Sequence, residues 1–559
     1  MWKKEFNDRE RWTNLKQLLS VTFFGVMTYA IFLPNSLVIG NGDDFTVDYY
    51  QVLPVTLVVG VIMFSLILLI GFILLALRWQ KVFCVYKNLI FGLALGFYIQ
   101  VNFLNTNLGV LDGRNFTWSW NDPDVFVSVV AWFLCLFIPL SFFLLKYDKW
   151  DVVRGYISNF LAAVQLFSLV FLSVTAKSTI ESRMILTTSR EFEMATTDNI
   201  VVFVVDTLDA EWAEKYIIAD ESNQDILKDF VYFDNVVAGG APTLLGVPTL
   251  LTGVSYDSPV SMSVDEYYRE AYASSDFFVD LKENGYTVDL YTDASLLKHA
   301  DTENIDNVVL GITHNISSIR GFTMCLYKLA NYCVMPYPLK GYFSFYGGDF
   351  SSYIEVRGYD KYRIDDPRFY RDFQEQHLSL GTTEKKFKLY HLFGTHAPFR
   401  MDENCNYTPD VSVTLEQQIK GTFKIIKEYI YEMKELGLYE NSTIIITGDH
   451  GGIALEQNPA VFIKKANYSA DELEISSAPA MFKNVRASMA AAFMDDYSSY
   501  GASLFDDMSD NLEKGRYHTV NFSLPADQYL NGRKKRDYER FSVGDPARDT
   551  EQLLEATED

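Results

Sequence analysis

The pattern of apolar and polar residues divides this 559-residue chain into two parts that meet near residue 176. The first part holds five apolar runs, at residues 18–39, 52–77, 82–104, 125–145 and 152–176. Each run is close to the about 20 residues that a membrane-spanning helix needs. We therefore predict a transmembrane domain with five helices over residues 1–176.

The loops between these runs differ in charge. Basic residues cluster before the first run, and they recur as Arg78 and Lys81 before the third and as Lys149 and Arg154 around the start of the fifth. The other two loops are mainly acidic. Since basic loops stay on the cytoplasmic side, we expect a multi-pass protein of the cell membrane, with a cytoplasmic N-terminus and an extracytoplasmic second part.

The second part shows the pattern of an α/β domain. Residues 177–199 are a linker of mixed charge, which fits an amphipathic interfacial helix or an ordinary connection. Beyond it, helical stretches such as 274–284 and 415–436 alternate with apolar β-branched runs at 200–205, 231–235, 287–291, 388–392, 443–447 and 461–464. This alternation predicts a catalytic-type α/β domain with a mainly parallel central sheet over 200–497. Short strands and a charged tail are expected over 498–559.

Chemically active side chains follow several of the predicted strands. Asp206 comes directly after the first strand, Asp449 and His450 follow another, and His396 lies in the turn after a third. Ligands collect at the carboxyl ends of strands in such sheets. Carboxylates, imidazole and a hydroxyl suit a divalent cation, so we predict one metal ion, Zn²⁺ or Mn²⁺, with Mg²⁺ also compatible.

The hydroxyl is expected from Thr243, which follows the glycine-rich elbow at residues 238–242 and begins an apolar helical stretch. A helix N-terminus favours negative charge, which suits a nucleophile that attacks a phosphate or sulfate ester. Thr is also a common helix cap. The elbow alone leaves both roles open, and the carboxylates at the strand ends favour the nucleophile.

Composition narrows the functional class. The net charge of -24 argues against nucleic acid as a partner. The five cysteines match no zinc motif and predict no disulfide framework, although pairing among Cys325, Cys333 and Cys405 stays open.

These motifs resemble the alkaline phosphatase/sulfatase superfamily. The resemblance rests on the strand before Asp206, the elbow before Thr243, the His-x-x-Gly-x-His-x-Pro motif at 391–398 and the Gly-Asp-His-Gly motif at 448–451. Membrane helices before such a domain resemble two branches, the lipid A phosphoethanolamine transferases and the lipoteichoic acid synthase-type glycerophosphate transferases. Sulfatases carry Cys or Ser where Thr243 stands, and the phosphoethanolamine branch usually has disulfides and a further His that this chain lacks.

The resemblance implies a membrane-bound phosphotransferase. It would move the head group of phosphatidylglycerol or phosphatidylethanolamine onto a surface glycan through a phosphothreonine at Thr243. It implies one metal ion held by Asp206, Thr243, Asp449 and His450, with His396 in catalysis. We assign His391, His396, Lys298 and His299 to substrate binding, with a solvated loop as the alternative role of Lys298 and His299.

Three other functions stay open at this point. An extracytoplasmic phosphodiesterase or sulfatase-type hydrolase would use water as the acceptor. A non-catalytic surface receptor would keep the fold without the chemistry, which the retained ligand set disfavours. A transporter is disfavoured because the apolar runs contain almost no ionisable residues.

Overall fold

The computed structural model describes residues 8–41, 45, 47–105, 118–145, 147, 149–175, 184–256, 262–312, 314–409, 412–452, 458–508, 516–521, 538–543 and 550–553. The chain divides into two compact units. The helical unit comprises Met1–Arg183 and Gly311–Gly358, and the α/β unit comprises Met184–Leu310 and Tyr359–Asp559. Parts of the loops used to predict orientation (42–44, 106–117 and 146), the linker stretch 177–183 and the basic tail residues 533–536 lie outside the described residues.

The helical unit contains five helices that are long and apolar enough to cross a membrane, as predicted. Helix α1 (Asp8–Val26) continues through a π-helical stretch, Met27–Phe32, into α2 (Leu33–Gly40). The other four spans are α3 (Tyr49–Ala76), α4 (Gln80–Ile99, extended by the π-helical stretch Gln100–Leu104), α5 (Pro123–Leu144) and α6 (Trp150–Thr175). Helix α3 exposes apolar side chains such as Val61 and Phe72, which is the surface that lipid tails favour.

Residues 311–358 belong to the helical unit, although their position in the sequence predicts that they belong to the α/β domain. They form β9 (His314–Ile316), α12 (Ile319–Val334), α13 (Tyr337–Lys340) and β10 (Ile354–Val356), and the two strands pair antiparallel. Tyr29 donates a hydrogen bond to Asn331 (2.8 Å) and Tyr327 donates one to the main-chain oxygen of Ala30 (2.7 Å). Contacts between residues about 300 positions apart therefore fix this segment.

The described part of the predicted linker forms strands rather than an amphipathic helix. Residues 184–199 contain β1 (Met184–Leu186), β2 (Glu193–Met194) and the start of β3 (Asp198–Val205). β1 pairs with β8 (Val308–Leu310), and β2 pairs with β11 (Ser379–Leu380). These pairings hold the segment within the α/β unit, and of the two alternatives for the linker, the interfacial helix does not form in these described residues.

The α/β unit is built on a seven-stranded sheet with the order β15-β4-β14-β13-β3-β12-β7. All six strands that the sequence predicted are in it, and β14 is the one that runs antiparallel to its neighbours. The bounds of the strands not yet given are β4 Val231–Phe233, β7 Tyr286–Tyr291, β12 Lys385–Leu392, β13 Thr443–Gly448, β14 Val461–Lys464 and β15 Glu474–Ser476. β3 and β13 lie side by side at the centre and are almost entirely buried.

Helices cover this sheet. They are α7 Ala210–Ala213, α8 Gln224–Leu227, α9 Thr243–Thr252, α10 Val264–Ala273, α11 Phe277–Glu283, α14 Asp366–Gln376, α15 Leu415–Glu435 and α16 Phe482–Ala490. Helix α15 begins with a capping box formed by Thr414 and Gln417 and buries an apolar face against the sheet.

Smaller sheets complete the unit. β5 (Val236–Val237) pairs with β16 (Ala480–Met481). β6 (Gly240–Ala241) joins the C-terminal strands β17 (Arg516–Asn521), β18 (Tyr538–Val543) and β19 (Thr550–Leu553) in a four-stranded sheet. The strand before Thr243 therefore belongs to this second sheet and not to the central one. All five cysteines are free.

Candidate active site

The carboxyl ends of β3 and β13 bring two aspartates together. Asp206 follows β3 and Asp449 follows β13, and the two strands are adjacent and in register up to Gly448 and Val205. The amide of Thr207 donates to Asp449 Oδ1 (2.8 Å), and the hydroxyl of Thr207 donates to Asp206 Oδ1 (3.3 Å). Thr207 has a φ of 59°, a strained conformation for a β-branched residue that is found mostly at functional sites.

His450 directs one ring nitrogen at these carboxylates. Its Nδ1 donates to the main-chain oxygen of Gly451 (2.8 Å), which fixes the ring. Its Nε2 lies 4.0 Å from Asp206 Oδ1 and 3.7 Å from Asp449 Oδ2. Neither this Nε2 nor Asp449 Oδ2 has a hydrogen-bond partner in the part of the chain that the structure describes.

Thr243 supplies the hydroxyl. It is the first residue of α9, and the capping position is Pro242, whose side chain makes no capping hydrogen bond. The Thr243 hydroxyl instead makes a long hydrogen bond, 3.5 Å, to Asp206 Oδ2. The hydroxyl is thus directed to the carboxylates while the backbone of the same residue stands at the positive end of the helix dipole.

A glycine allows α9 to approach this closely. A Cβ atom on Gly246, one turn beyond Thr243, would lie 2.1 Å from the main-chain oxygen of Asp449. No side chain fits at that distance, so the backbone of Gly246 in α9 packs directly against the backbone of Asp449 at the end of β13. Sequence analysis missed Gly246, although its spacing from Thr243 was a usable signal.

The turn after β12 carries His396 and is tied to Asp206. The hydroxyl and the amide of Thr395 both bond to the main-chain oxygen of Asp206, at 2.8 and 2.9 Å. Gly394 has a φ of 58°, and a Cβ there would lie 2.5 Å from Val205. The buried carboxylate of Asp366, which the sequence did not single out, accepts from the amides of Phe393 (2.6 Å) and Gly394 (2.9 Å).

His391 lies beneath this turn, inside the protein. It occupies the next-to-last position of β12, and its side chain has an exposed fraction of 0%. Its Nδ1 is 2.8 Å from the hydroxyl of Thr292, and its Nε2 is 3.9 Å from Asp206 Oδ2. Tyr291 pairs with Tyr390, so the next residues, Thr292 and His391, lie side by side. The sequence alone does not show this register of β7 and β12.

Burial and mutual repulsion govern the charges of this group. Burial and the neighbouring Asp449 raise the pKa of Asp206 well above its usual range. Burial also acts to raise the pKa of Asp449, but His450, His391 and the Thr207 amide outweigh it and lower that pKa. Burial lowers the pKa of His391 from its ordinary value of 6.5, so its imidazole is neutral at pH 7.

The spacing of these atoms fits a divalent cation. Ligand atoms about 2.1 Å from one ion lie at most about 4.2 Å apart. The measured separations are 3.5 Å between Thr243 and Asp206 and 3.7–4.0 Å between the imidazole nitrogens and the carboxylates. Ligand atoms of Asp206, His391 and Asp449 all lie within 4.8 Å of one another. We call Asp206, Thr243, His391, Asp449 and His450 the carboxyl-edge site.

Lys298 and His299 are not part of this group. They follow the turn after β7, and both contact Asp265 on α10, with Lys298 Nζ at 2.7 Å and His299 Nε2 at 3.1 Å. Lys298 is 52% exposed. The preceding turn, Ala294–Leu297, packs against α9, so the pair follows a segment that contacts the helix of Thr243.

The fold and the carboxyl-edge site together define a class. This is an α/β domain of the metal-dependent phosphatase and sulfatase type, preceded by five apolar helices. Residues 198–476 match the family model described as Sulfatase. This domain therefore belongs to the sulfatase family. No curated protein matches the sequence.

Several solved structures are similar to the chain at low identity. A phosphonate monoester hydrolase from Silicibacter pomeroyi is 13% identical, covering 65% of this chain and 89% of its own (TM-score 0.36). The lipoteichoic acid synthase LtaP from Listeria monocytogenes is 12% identical, covering 68% and 91% (TM-score 0.33). The periplasmic domain of phosphoethanolamine transferase EptC from Campylobacter jejuni is 15% identical, covering 55% and 94% (TM-score 0.30). These likenesses do not distinguish hydrolase from transferase.

Proposed function

We propose that this chain is a membrane-bound phosphotransferase. It moves the head group of a phospholipid, glycerophosphate from phosphatidylglycerol or phosphoethanolamine from phosphatidylethanolamine, onto a glycan at the cell surface. The α/β unit works on the extracytoplasmic side, and Thr243 is the nucleophile. The proposal goes beyond the membership of the sulfatase family, which includes enzymes with other substrates.

The position of the Thr243 hydroxyl carries this proposal. The residue begins α9, does not occupy the capping position, and hydrogen-bonds to Asp206 within a cluster of buried ligand atoms. A hydroxyl is an activated nucleophile when a base or a metal lies beside it. The five membrane-length helices in the same chain support a donor that stays in the bilayer, because such a donor reaches the enzyme by lateral diffusion.

The first step is an attack of Thr243 Oγ on the phosphorus of the donor. A new Thr–O–P bond forms, and the bond from phosphorus to the diacylglycerol oxygen breaks. The Thr proton leaves by way of the Asp206 carboxylate to which the hydroxyl donates. Asp206, Thr243, Asp449 and His450 would hold a divalent cation, whose charge would lower the pKa of the Thr243 hydroxyl and offset the charge of the phosphoryl oxygens. His396 donates a proton to the departing oxygen.

The second step reverses the roles of these groups. A hydroxyl of the glycan attacks the phosphothreonine, the Thr–O–P bond breaks, and Thr243 recovers its proton. His396, now neutral, accepts the proton of the attacking hydroxyl. Lys298 and His299 are proposed to contact the head group at the periphery, where their charges are already paired with Asp265.

A mass adduct on the Thr243 peptide tests this proposal. The detergent-solubilised full chain is incubated with Zn²⁺ or Mn²⁺ and with vesicles of phosphatidylglycerol and phosphatidylethanolamine. The proposal predicts an adduct on Thr243 and the release of diacylglycerol, and the mass of the adduct names the head group. Thr243→Ser should keep a reduced adduct, whereas Thr243→Ala should form none.

Two results would change the conclusion. No adduct and no release of diacylglycerol in the presence of metal would refute the transferase. Free head group, formed with water while a glycan acceptor stays unmodified, would assign the hydrolase activity instead. Either outcome leaves the membership of the sulfatase family unaffected.

A further inference from the structure

The burial of His391 does not fit the contact with substrate that its position in the motif predicts. The sequence assigns it to substrate binding beside His396. Its side chain, however, has no exposed surface, so a substrate does not reach it. The question is which group its ring contacts inside the protein.

The Nδ1 atom of the ring has a partner inside the protein. Nδ1 lies 2.8 Å from the Thr292 hydroxyl, which sits beside it in the register of β7 and β12. The Tyr362 hydroxyl donates to the main-chain oxygen of His391 (2.8 Å) and fixes the strand at this residue. A hydrogen bond of this kind at one ring nitrogen sets the orientation in which the other nitrogen binds a metal.

The Nε2 atom of the ring is directed at the carboxyl groups of Asp206 and Asp449. Nε2 lies 3.9 Å from Asp206 Oδ2, too far for a hydrogen bond. It has no hydrogen-bond partner among the residues that the structure describes. A buried nitrogen without a partner is unfavourable in a protein interior unless another ligand completes the site.

We propose that His391 Nε2 is a direct ligand of the divalent cation, together with Asp206 and Asp449. The ligand atoms of these three residues lie within 4.8 Å of one another, and 3.9 Å between Nε2 and Asp206 is below the about 4.2 Å that two ligands of one ion span. The inference rests on the metal-dependent function proposed above, and it adds a ligand to Asp206, Thr243, Asp449 and His450.

A second imidazole has a consequence for the choice of metal. Carboxylates and hydroxyls suit Mg²⁺, whereas imidazole suits Zn²⁺. With His391 and His450 both present, the site prefers Zn²⁺ over Mg²⁺. Thr292 is a positioning residue in this arrangement, since it contacts the ring and not the ion.

Metal affinity measured without lipid tests the inference. The full chain in detergent is stripped with a chelator and titrated with Zn²⁺ against a chromophoric competitor, and then with Mg²⁺. We expect His391→Ala to weaken Zn²⁺ binding by about 100-fold or more and Mg²⁺ binding much less. Thr292→Val should weaken Zn²⁺ binding by about 10-fold. His377→Ala is the matched control, because that histidine is 62% exposed and pairs with Glu432 (2.7 Å).

A second variant separates ligation from folding. In His391→Asn, the shorter side chain keeps a polar atom close to the position of Nδ1, beside Thr292. That side chain is too short to reach an ion at the position that Nε2 contacts. His391→Asn should therefore melt like wild type without metal and lose the stabilisation that Zn²⁺ gives. Wild-type Zn²⁺ affinity in both His391→Asn and His391→Ala would overturn the inference.

This test fails separately from the proposed function. If the wild type binds Zn²⁺ through His391 but forms no Thr243 adduct, the ligand assignment stands and the transferase does not. If the adduct forms and the His391 variants bind Zn²⁺ like wild type, the transferase stands and the ligand assignment is wrong.

Discussion

Strand β12 carries two groups of buried polar side chains, one on each face. Side chains alternate between the two faces of a strand, so one face holds Lys386, Lys388 and Tyr390 and the other holds His391. On the first face, Arg190 pairs with Asp289 (2.6 Å) and Lys386 pairs with Glu193 (2.8 Å), while Lys388 donates to the main-chain oxygen of Glu191 (2.7 Å). We call these residues the paired cluster: Arg190, Glu191, Glu193, Asp289, Lys386 and Lys388.

The two groups differ in how their charge is balanced. In the paired cluster, each carboxyl group lies beside a basic side chain: Asp289 pairs with Arg190, Glu193 pairs with Lys386, and Glu191 pairs with Arg368 of α14 (3.2 Å). In the carboxyl-edge site, no lysine or arginine of the described chain pairs with Asp206 or Asp449. Burial of charge alone thus does not indicate function. A buried group of carboxylates without basic partners, with unpartnered imidazole nitrogens directed at it, indicates a binding site for a cation.

Removing one carboxylate from each group should give opposite effects on stability, and this is the largest expected difference. Asp206→Asn relieves repulsion with Asp449, so the metal-free protein should melt about 2–4 °C higher, while transfer falls by about 10³-fold or more. Asp289→Asn leaves Arg190 without its carboxylate partner, while Lys386 keeps Glu193, and should cost about 3 kcal/mol. Thermal melting with and without Zn²⁺ measures both. Equal destabilisation by the two variants would contradict the comparison.

Changing the approach of α9 tests the geometry of the carboxyl-edge site. Gly246→Ala places a Cβ 2.1 Å from the Asp449 main-chain oxygen, so the helix must move away. Displacement of a nucleophile by about 1 Å costs about 100-fold in rate. Gly155→Ala in α6 is the control, because nothing lies within 4 Å of its Cβ. Wild-type rates of adduct formation in Gly246→Ala would show that Thr243 needs no such contact.

The pH dependence of stability tests the paired cluster at Glu191. Burial raises the pKa of Glu191 from 4.5 to about 7, against the opposing effect of Arg368. The folded state thus holds a proton that the unfolded state loses between these values, and this contribution to stability falls as pH rises from about 4.5 to about 7. Glu191→Gln should flatten that part of the curve of melting temperature against pH. An unchanged slope would mean that Glu191 ionises normally in the fold.

The smallest effect on the rate of adduct formation is expected at Lys298 and His299. Lys298→Ala and His299→Ala remove groups that Asp265 already balances, and exposed ion pairs contribute at most about 1 kcal/mol. Each variant should change the rate of adduct formation by less than about 5-fold. A loss as large as that of Asp206→Asn would place these residues among the essential groups instead.

The sequence predicted the central sheet well because its signals are local. Apolar β-branched runs gave all six strands, and the carboxylates directly after β3 and β13 stand where parallel strands end. The five apolar helices follow from length and composition in the same way. Each of these features depends on neighbours in the sequence.

The features that escaped prediction depend on distant contacts. Residues 311–358 join the helical unit through pairs such as Tyr29 with Asn331. Thr243 follows a strand that pairs with β17, more than 250 residues later. The burial of His391 and its contact with Thr292 depend on the register of β7 and β12. Asp366 reaches the His396 turn from α14 with no signal in the motif itself.

The metal content of the purified full chain shows whether the carboxyl-edge site binds a cation. The protein is stripped, incubated with Zn²⁺, dialysed and analysed for bound metal by mass spectrometry, beside Asp206→Asn and Asp289→Asn. We expect one tightly held ion in the wild type and in Asp289→Asn, and none in Asp206→Asn. A metal-free wild type, or an ion retained equally in Asp206→Asn, would contradict it.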